Sequence, residues 1–340
     1  EGGTVIDGTG SGPQEGWSIV IGDGRIVELG PSQQIRRPDN ATVVDATGKF
    51  IIPGLTDSHV HYYGYEAELF LAHGVTSVLL LGGVYEWEIA QRDAIARGEI
   101  IGPRIFTAGN PLGGPISTPP QGTPSTGPST GLASLPHSIS VHNSREEAIS
   151  ATRRLVEQEV DFIKFQAEIT PQLAKVISDE AHRAGKLVFA HLGSYFDAGE
   201  AAEAGVDVLA HGTGIPRATT PPALRGQARR LSNLQMVGAA SLMQPALYAD
   251  LITLLIEEEV YIDLDLHFRS KGVHPLSAKF ALQIQKLFSN VELSYIADNA
   301  LRRWFRFPLY ASGGSDQETQ ELLQKGYENL ALFYRQFVAA

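Results

Sequence analysis

The rhythm of apolar and polar positions changes once along this chain, near residue 53. Before that point, short runs rich in β-branched residues read as strands: Thr4-Val-Ile6, Trp17-Ser-Ile-Val-Ile21, Arg25-Ile-Val-Glu-Leu29, Thr42-Val-Val44 and Phe50-Ile-Ile52. Asp7-Gly8, Asp23-Gly24 and Gly30-Pro31 punctuate them as turns. Asp23-Gly24 is a hairpin signal, because a two-residue turn of this kind needs positive φ at both central positions. Such strands need a second layer over one face. Residues 1–52 are therefore expected to form a small, partial β-sandwich domain.

From residue 53 to 340 the pattern predicts strands alternating with helices. Val75-Thr-Ser-Val-Leu-Leu-Leu81 is a continuous apolar strand of the type buried on both faces. Arg104–Ala108, Phe162–Phe165, Leu187–Ala190, Val206–Ala210 and Val260–Leu264 read as further strands. Ser144-Arg-Glu-Glu147 is a capping box that opens a helix through about Glu159. Thr170-Pro171 starts another helix, which Gly185 ends. Asp197 caps a helix running to Gly205, and a further helix is expected near 247–258. This repetition predicts an α/β fold, with a TIM (β/α)8-type barrel favoured over an open parallel sheet.

One long segment fits no element. Gly109–Ser140 is dense in Pro, Ser, Thr and Gly without an apolar period, and is expected to be a loop, a lid over the catalytic face if the fold is a barrel. Residues 212–235 are expected to be a second insertion on that face. Its Arg225, Arg229 and Arg230 read either as a solvated run or as a clamp for a substrate carboxylate.

Composition narrows the chemistry. With 27 basic and 38 acidic residues the formal charge is −11, which argues against nucleic acid as a partner. No apolar run is long enough to cross a bilayer. The absence of cysteine removes disulfides, thiolate nucleophiles and Cys-type zinc sites, so any metal must be held by histidine, carboxylate or a modified side chain. It is compatible with the cytoplasm and with a bacterial periplasm. The chain opens on Glu1 without a basic-then-apolar leader, and is expected to have been processed or to begin inside a larger protein.

The candidate chemistry sits at strand ends. His59-Val-His61 follows the Pro53-Gly54 break, and on a strand residues i and i+2 face the same side. Two imidazoles so placed can hold one divalent cation, though the tripeptide alone is equally an accident of a loop. Lys164 lies within Phe162-Ile-Lys-Phe165, while His191 ends Leu187–Ala190 and His211 ends Val206–Ala210. In a barrel the carboxyl ends of the strands converge, which would bring all five together. Burial of Lys164 in an apolar wall would lower its pKa and free a neutral amine, able to add carbon dioxide as a carbamate. The competing reading is a buried stem whose ammonium snorkels to water.

Taken together, these residues resemble the amidohydrolase superfamily of metal-dependent hydrolases. The resemblance rests on Gly3-Thr-Val-Ile-Asp-Gly-Thr-Gly10, Gly22-Asp-Gly-Arg-Ile26, Asp45-Ala-Thr-Gly-Lys49 and Ile52-Pro-Gly-Leu-Thr-Asp-Ser-His-Val-His61. It continues through Gly74-Val-Thr-Ser-Val78, Gly102-Pro-Arg-Ile105, Asp161-Phe-Ile-Lys164, Glu180-Ala-His-Arg-Ala-Gly-Lys186, Ala204-Gly-Val-Asp207 and His211-Gly212. The chain is most similar to the imidazolonepropionase and prolidase-like branch. That resemblance implies two divalent cations, zinc by preference. His59 and His61 would bind one, His191 and His211 the other, and carboxylated Lys164 would bridge them. It implies hydrolysis of a carbon–nitrogen bond in a small amide, cyclic amide or peptide-like substrate by a metal-activated hydroxide. A homo-oligomer is compatible with it.

The chain departs from the family in three places. Leu79-Leu-Leu81 stands where relatives often carry polar residues, and Gly113-Gly114-Pro115 replaces a Gly-Gly-His. The family's general-base aspartate ends the eighth strand. Gly314-Ser315-Asp316 matches it on its face, but Arg302–Arg306 and Pro308 precede it, and Pro308 is unsuited to a central strand. Glu318–Ala340 reads as one amphipathic helix with apolar residues at 322/323, 327, 330, 333/334 and 337. The expectation is a barrel lacking its eighth strand here, with the catalytic aspartate beyond Ala340 and Asp316 at most a helix cap. Asp263 and Asp265 are expected to make polar contacts or simply to end the seventh strand. His267 and His274 are substrate-contact candidates, and His73, His137, His142 and His182 are read as structural.

Two rivals remain. One is a mononuclear deaminase or cyclic amidohydrolase, against which Lys164 and His191-Leu-Gly-Ser194 speak. The other is an inactive scaffold on the same fold, for which retention of four histidines and Lys164 has no purpose.

Overall fold

The computed structural model describes residues 1–113, 139–141, 144–167, 169–193, 196–231, 235–264, 282, 286 and 317–340. The chain divides into two compact units, Glu1–Thr56 with Gly74–Thr76, and Asp57–His73 with Ser77–Ala340.

In the first unit, β1 (Gly3–Val5), β2 (Gln14–Gly22), β3 (Arg25–Pro31) and β4 (Phe50–Ile51) form one sheet in the order β3-β2-β1-β4. β1 runs antiparallel to β2 and parallel to β4. Asp23 and Gly24 make the predicted hairpin turn, with φ of 50° and 73°. Gly22 then faces Arg25, and Ile21 faces Ile26. Thr42–Val44 is not a strand. The segment meets the chain start through Glu1 N, which donates to Val44 O at 2.7 Å, and Ala46 N, which donates to Glu1 O at 2.8 Å, and Val44 is 72% exposed. Ile21, Ile26, Val27 and Phe50 are exposed as well, and the second layer of a sandwich is not among the described residues.

β5 (Leu55–Val60), β6 (Val75–Leu80) and β7 (Arg104–Thr107) form a three-stranded sheet in sequence order. α1 (Ala67–Ala72) and α2 (Tyr85–Ala96) fill the connections. A second sheet holds β8 (Leu112–Gly113), β9 (Ile139–Ser140), β10 (Ile163–Phe165), β11 (Val188–Ala190), β12 (Val208–Leu209) and β13 (Tyr261–Ile262). Its order is β13-β12-β11-β10-β8-β9, and every neighbouring pair is parallel. β8 and β9 are the ends of the segment expected to be loop throughout. Residues 114–138 between them lie outside the described residues.

Local sequence accounts for the helices between these strands. Ser144 Oγ accepts from Glu147 N at 3.1 Å and opens α3 (Arg145–Glu157), which buries Ala148, Ala151, Thr152 and Leu155. Thr170 and Pro171 start α4 (Pro171–Arg183), whose buried stripe is Leu173, Ala174, Val176, Ile177 and Ala181. Gly185, at φ 67°, turns the chain out of it. Asp197 caps α5 (Ala198–Glu203) and Glu200 returns the bond to Asp197 N at 2.9 Å, a reciprocal box. One side chain from each of five strand regions, Leu81, Ala108, Phe162, Phe189 and Val208, forms an inner apolar cluster with Ala210.

The expected insertion, residues 212–235, is helical where it is described. It begins a helical run, α6 (Ile215–Ala218), α7 (Arg225–Leu231) and α8 (Gln235–Ala240). Thr219 and Thr220 are buried there, with hydroxyls donating to Ile215 O and Pro216 O, so residues that read as loop polarity are satisfied locally. α9 (Tyr248–Glu257) leads to β13, and α10 (Gln317–Ala339) matches the predicted long helix. α10 buries Leu323, Gly326, Leu330, Phe333 and Tyr334. Gly326 lies so close to α8 that a Cβ there would stand 1.8 Å from Val237 O. No helix among the described residues is long and apolar enough to cross a membrane.

Candidate metal centre

Four of the five predicted residues stand at the ends of parallel strands, and the fifth, Lys164, stands within one. His59 is the penultimate residue of β5, and its ring centroid lies 5.6 Å from that of His61. His211 follows β12 and stacks on His59 at 4.1 Å. His191 follows β11 and meets His211 edge-on at 5.0 Å. Lys164 is central in β10, close enough for its charge to bear on both His59 and His61. The five thus share one neighbourhood. His211 also has a feature the sequence does not signal, a φ of 60°, the left-handed region that a β-carbon disfavours.

Lys164 does not snorkel. It is 1% exposed, and burial draws its ammonium down to about 8, against a smaller upward pull from the Asp263 carboxylate. The amine is then mostly protonated at pH 7, with a minor neutral fraction that grows toward pH 8.

Asp263, just past β13, is the residue the sequence reading undervalued. Its Oδ2 lies 2.6 Å from His59 Nδ1, and its Oδ1 accepts from Ser58 Oγ at 3.1 Å. Burial holds the His59 imidazole down at about 4, with the Asp263 hydrogen bond opposing the shift. Burial pushes the Asp263 carboxyl up, but hydrogen bonds from His59 and Ser58 outweigh it and the net shift is downward. His59 is then neutral and Asp263 ionised at neutral pH. The contact is an N–H donating to a carboxylate, not a salt bridge.

Proton placement follows. An ionised carboxylate only accepts, so the His59 proton is on Nδ1 and the lone pair on Nε2. His61 Nδ1 faces Gly82 O at 3.2 Å, and a carbonyl likewise only accepts, so His61 also leaves Nε2 unprotonated. His59 Nε2 is buried and has no hydrogen-bond partner among the described residues. A buried acceptor without a donor is costly, and a cation would satisfy it. One ligand atom each from His59, His211 and Asp263 lies within 4.8 Å of the others. Imidazole nitrogens suit a divalent cation such as zinc.

The remaining histidines divide as expected where they are described. His73 Nδ1 bonds Leu69 O at the end of α1, and His182 Nε2 bonds Asp207 Oδ2 at 2.8 Å, both structural contacts. Arg225 lies 3.7 Å from Asp197, so it faces a helix cap. Leu80 and Leu81 are fully buried and bring no polar group to the site. Asp265, His267, His274, His137, His142, Gly114, Pro115, Arg302–Arg306, Pro308 and Gly314-Ser315-Asp316 lie outside the described residues.

No protein-family model matches the chain. It is 29% identical to the dihydroorotase of Mycobacterium tuberculosis over 104 residues, covering 30% of this chain and 24% of that protein. It is 39% identical to the imidazolonepropionase of Symbiobacterium thermophilum over 84 residues, 23% of this chain and 18% of that protein. The matches thus span about a quarter or less of these curated relatives' lengths. Among solved structures, a Xaa-Pro dipeptidase with methionine bound in its active site superposes with a TM-score of 0.58 at 19% identity, covering 95% of this chain and 88% of that one.

Proposed function

We propose that this chain belongs to the amidohydrolase superfamily and carries the metal cage of a hydrolase for carbon–nitrogen bonds in small amide, cyclic amide or peptide-like substrates. The observation that carries the reading is His59 Nε2, a buried lone pair without a donor, set among His211 and Asp263. His59 and His61 would hold one divalent cation and His191 and His211 a second, with carboxylated Lys164 between them. When bound, such cations supply Lewis acidity and bring the pKa of a water toward neutrality.

The chain's own residues prepare that chemistry. Asp263 and Gly82 O keep the two β5 histidines neutral at Nε2. Lys164 is closed off from solvent within β10, so a minor fraction of its amine is neutral near neutrality and would form a C–N bond to carbon dioxide, releasing a proton to water. The names of the relatives, a dihydroorotase, an imidazolonepropionase and a dipeptidase, support a carbon–nitrogen bond as the target.

Ser58 and His59, in the first strand of the second unit, reach Asp263, beyond its last described strand. That contact, with the inner cluster drawn from five strand regions, supports a (β/α)8-type barrel over residues 53–340 that lacks its eighth strand here. A second layer over Ile21, Ile26, Val27 and Phe50 would make residues 1–52 a sandwich.

Metal analysis with and without Lys164→Ala tests the function. Two equivalents per chain, falling together with amide hydrolysis in the variant, are expected. Unchanged metal and unchanged hydrolysis in Lys164→Ala would remove the carbamate bridge, and a protein that takes up no metal would be a scaffold. A single-ion site has its own support in the compact His59–His211–Asp263 group, and one equivalent of metal would decide for it.

A further inference from the structure

We infer that Asp263 is a positioning residue for the metal site, fixing the His59 proton on Nδ1 so that Nε2 faces the cation, and is not itself a metal ligand. The inference rests on the metal-dependent reading above and specifies how one ligand is made ready.

Three observations carry it. First, both carboxylate oxygens are engaged by the chain, Oδ2 with His59 Nδ1 at 2.6 Å and Oδ1 with Ser58 Oγ at 3.1 Å. Turning Asp263 toward a cation would break these bonds and strand a buried N–H, since the side chains of His59 and Asp263 are 9% and 7% exposed. Second, the nitrogen of His59 that lacks a partner is Nε2, the one opposite the carboxylate. Third, His61 meets the same requirement by another route, with Gly82 O as acceptor for Nδ1 at 3.2 Å. Both histidines of the pair thus present the same tautomer, one set by a backbone carbonyl and the other by a side chain. A carboxylate behind a ligating imidazole also raises its basicity toward the metal.

Asp263→Asn and Asp263→Ala separate the two roles. Asparagine can still accept from His59 Nδ1 through its carbonyl oxygen while its amide faces Ser58 Oγ, whereas alanine removes the acceptor. The tautomer is read by ¹⁵N NMR of the imidazoles in the metal-free full chain at neutral pH, and affinity by calorimetric titration with zinc alone. We expect the Nδ1-protonated form of His59 in the wild type and in Asp263→Asn, and a mixture in Asp263→Ala. Zinc affinity should fall on the order of 10–100-fold in Asp263→Ala, at unchanged stoichiometry, with most of it restored in Asp263→Asn. Loss of a full zinc equivalent in Asp263→Ala, or equal damage from asparagine and alanine, would make Asp263 a ligand and overturn the inference. So would an unchanged His59 tautomer in Asp263→Ala. A wild-type chain that binds no zinc would instead overturn the metal reading, and is told apart because the tautomer is measured without metal.

Discussion

Thr107 Oγ1 donates a hydrogen bond to the Glu88 carboxyl and accepts one from Gly109 N at 2.8 Å, tying α2 to the end of β7 in a region closed to water. Glu88 is 2% exposed, and burial raises its carboxyl to about 8, with the Thr107 hydrogen bond pulling weakly the other way.

Glu88 should therefore make stability depend on pH. In the folded chain it keeps its proton up to about 8, whereas unfolded it loses it near the ordinary 4.5. Between those values the folded state holds more protons, so this contribution falls as pH rises from 4.5 to 8 and is flat above. Glu88→Gln should match the wild type at about pH 4.5 and exceed it by on the order of a few kcal/mol above pH 8. Urea unfolding at both pH values measures the difference; parallel profiles would show that Glu88 is not held protonated.

Gly326 sets the approach of α10 to α8. A Cβ there would stand 1.8 Å from Val237 O and 3.1 Å from Ser241 N, so Gly326→Ala must force the helices apart. The expected loss is about 1–3 kcal/mol. Gly226 in α7 meets nothing within 4 Å, so Gly226→Ala should gain about 0.5 kcal/mol by restricting the unfolded chain. Thermal unfolding of the two variants should move in opposite directions.

His211 holds φ at 60°, where a β-carbon costs roughly 1 kcal/mol. Glycine escapes that cost and alanine does not. His211→Gly should consequently be more stable than His211→Ala by about 1 kcal/mol in metal-free protein, while both lose the same imidazole. Equal melting temperatures would mean that the strain is relieved elsewhere.

Gly24, at φ 73°, supplies the left-handed second position of the β2–β3 turn. Gly24→Ala should cost about 1 kcal/mol in denaturant unfolding, and Asp23→Asn close to nothing, since asparagine also suits positive φ.

What the sequence revealed and what it hid follow a physical division. Asp197 with Glu200, Thr170 with Pro171, and Asp23 with Gly24 are local devices, completed within a few residues, and each stands where its spacing predicts. The strand-end histidines were legible because strands repeat and their carboxyl ends gather side chains. Burial of Lys164 followed from its aromatic and aliphatic neighbours. Asp263 was not legible as a partner of His59, because nothing near it in sequence signals an imidazole 204 positions away. The helices after His211 were hidden because buried threonines and prolines read as loop until their hydroxyls find backbone acceptors. Thr42–Val44 misled in the other direction, with strand-forming residues whose segment makes bonds to Glu1 but no strand.

The same bond between His59 and Asp263 has a consequence for the order in which the chain matures. It joins positions 204 residues apart, one of the longest sequence separations among the described side-chain contacts. Contacts of that span form late, after the intervening β-α units have ordered and shortened the effective loop. A nascent chain displaying only His59 and His61 holds one imidazole whose Nδ1 proton has no acceptor. On the proposed metal reading, docking of the segment after β13 would be the step that makes the site competent, and cation capture would report completion of the fold rather than nucleate it.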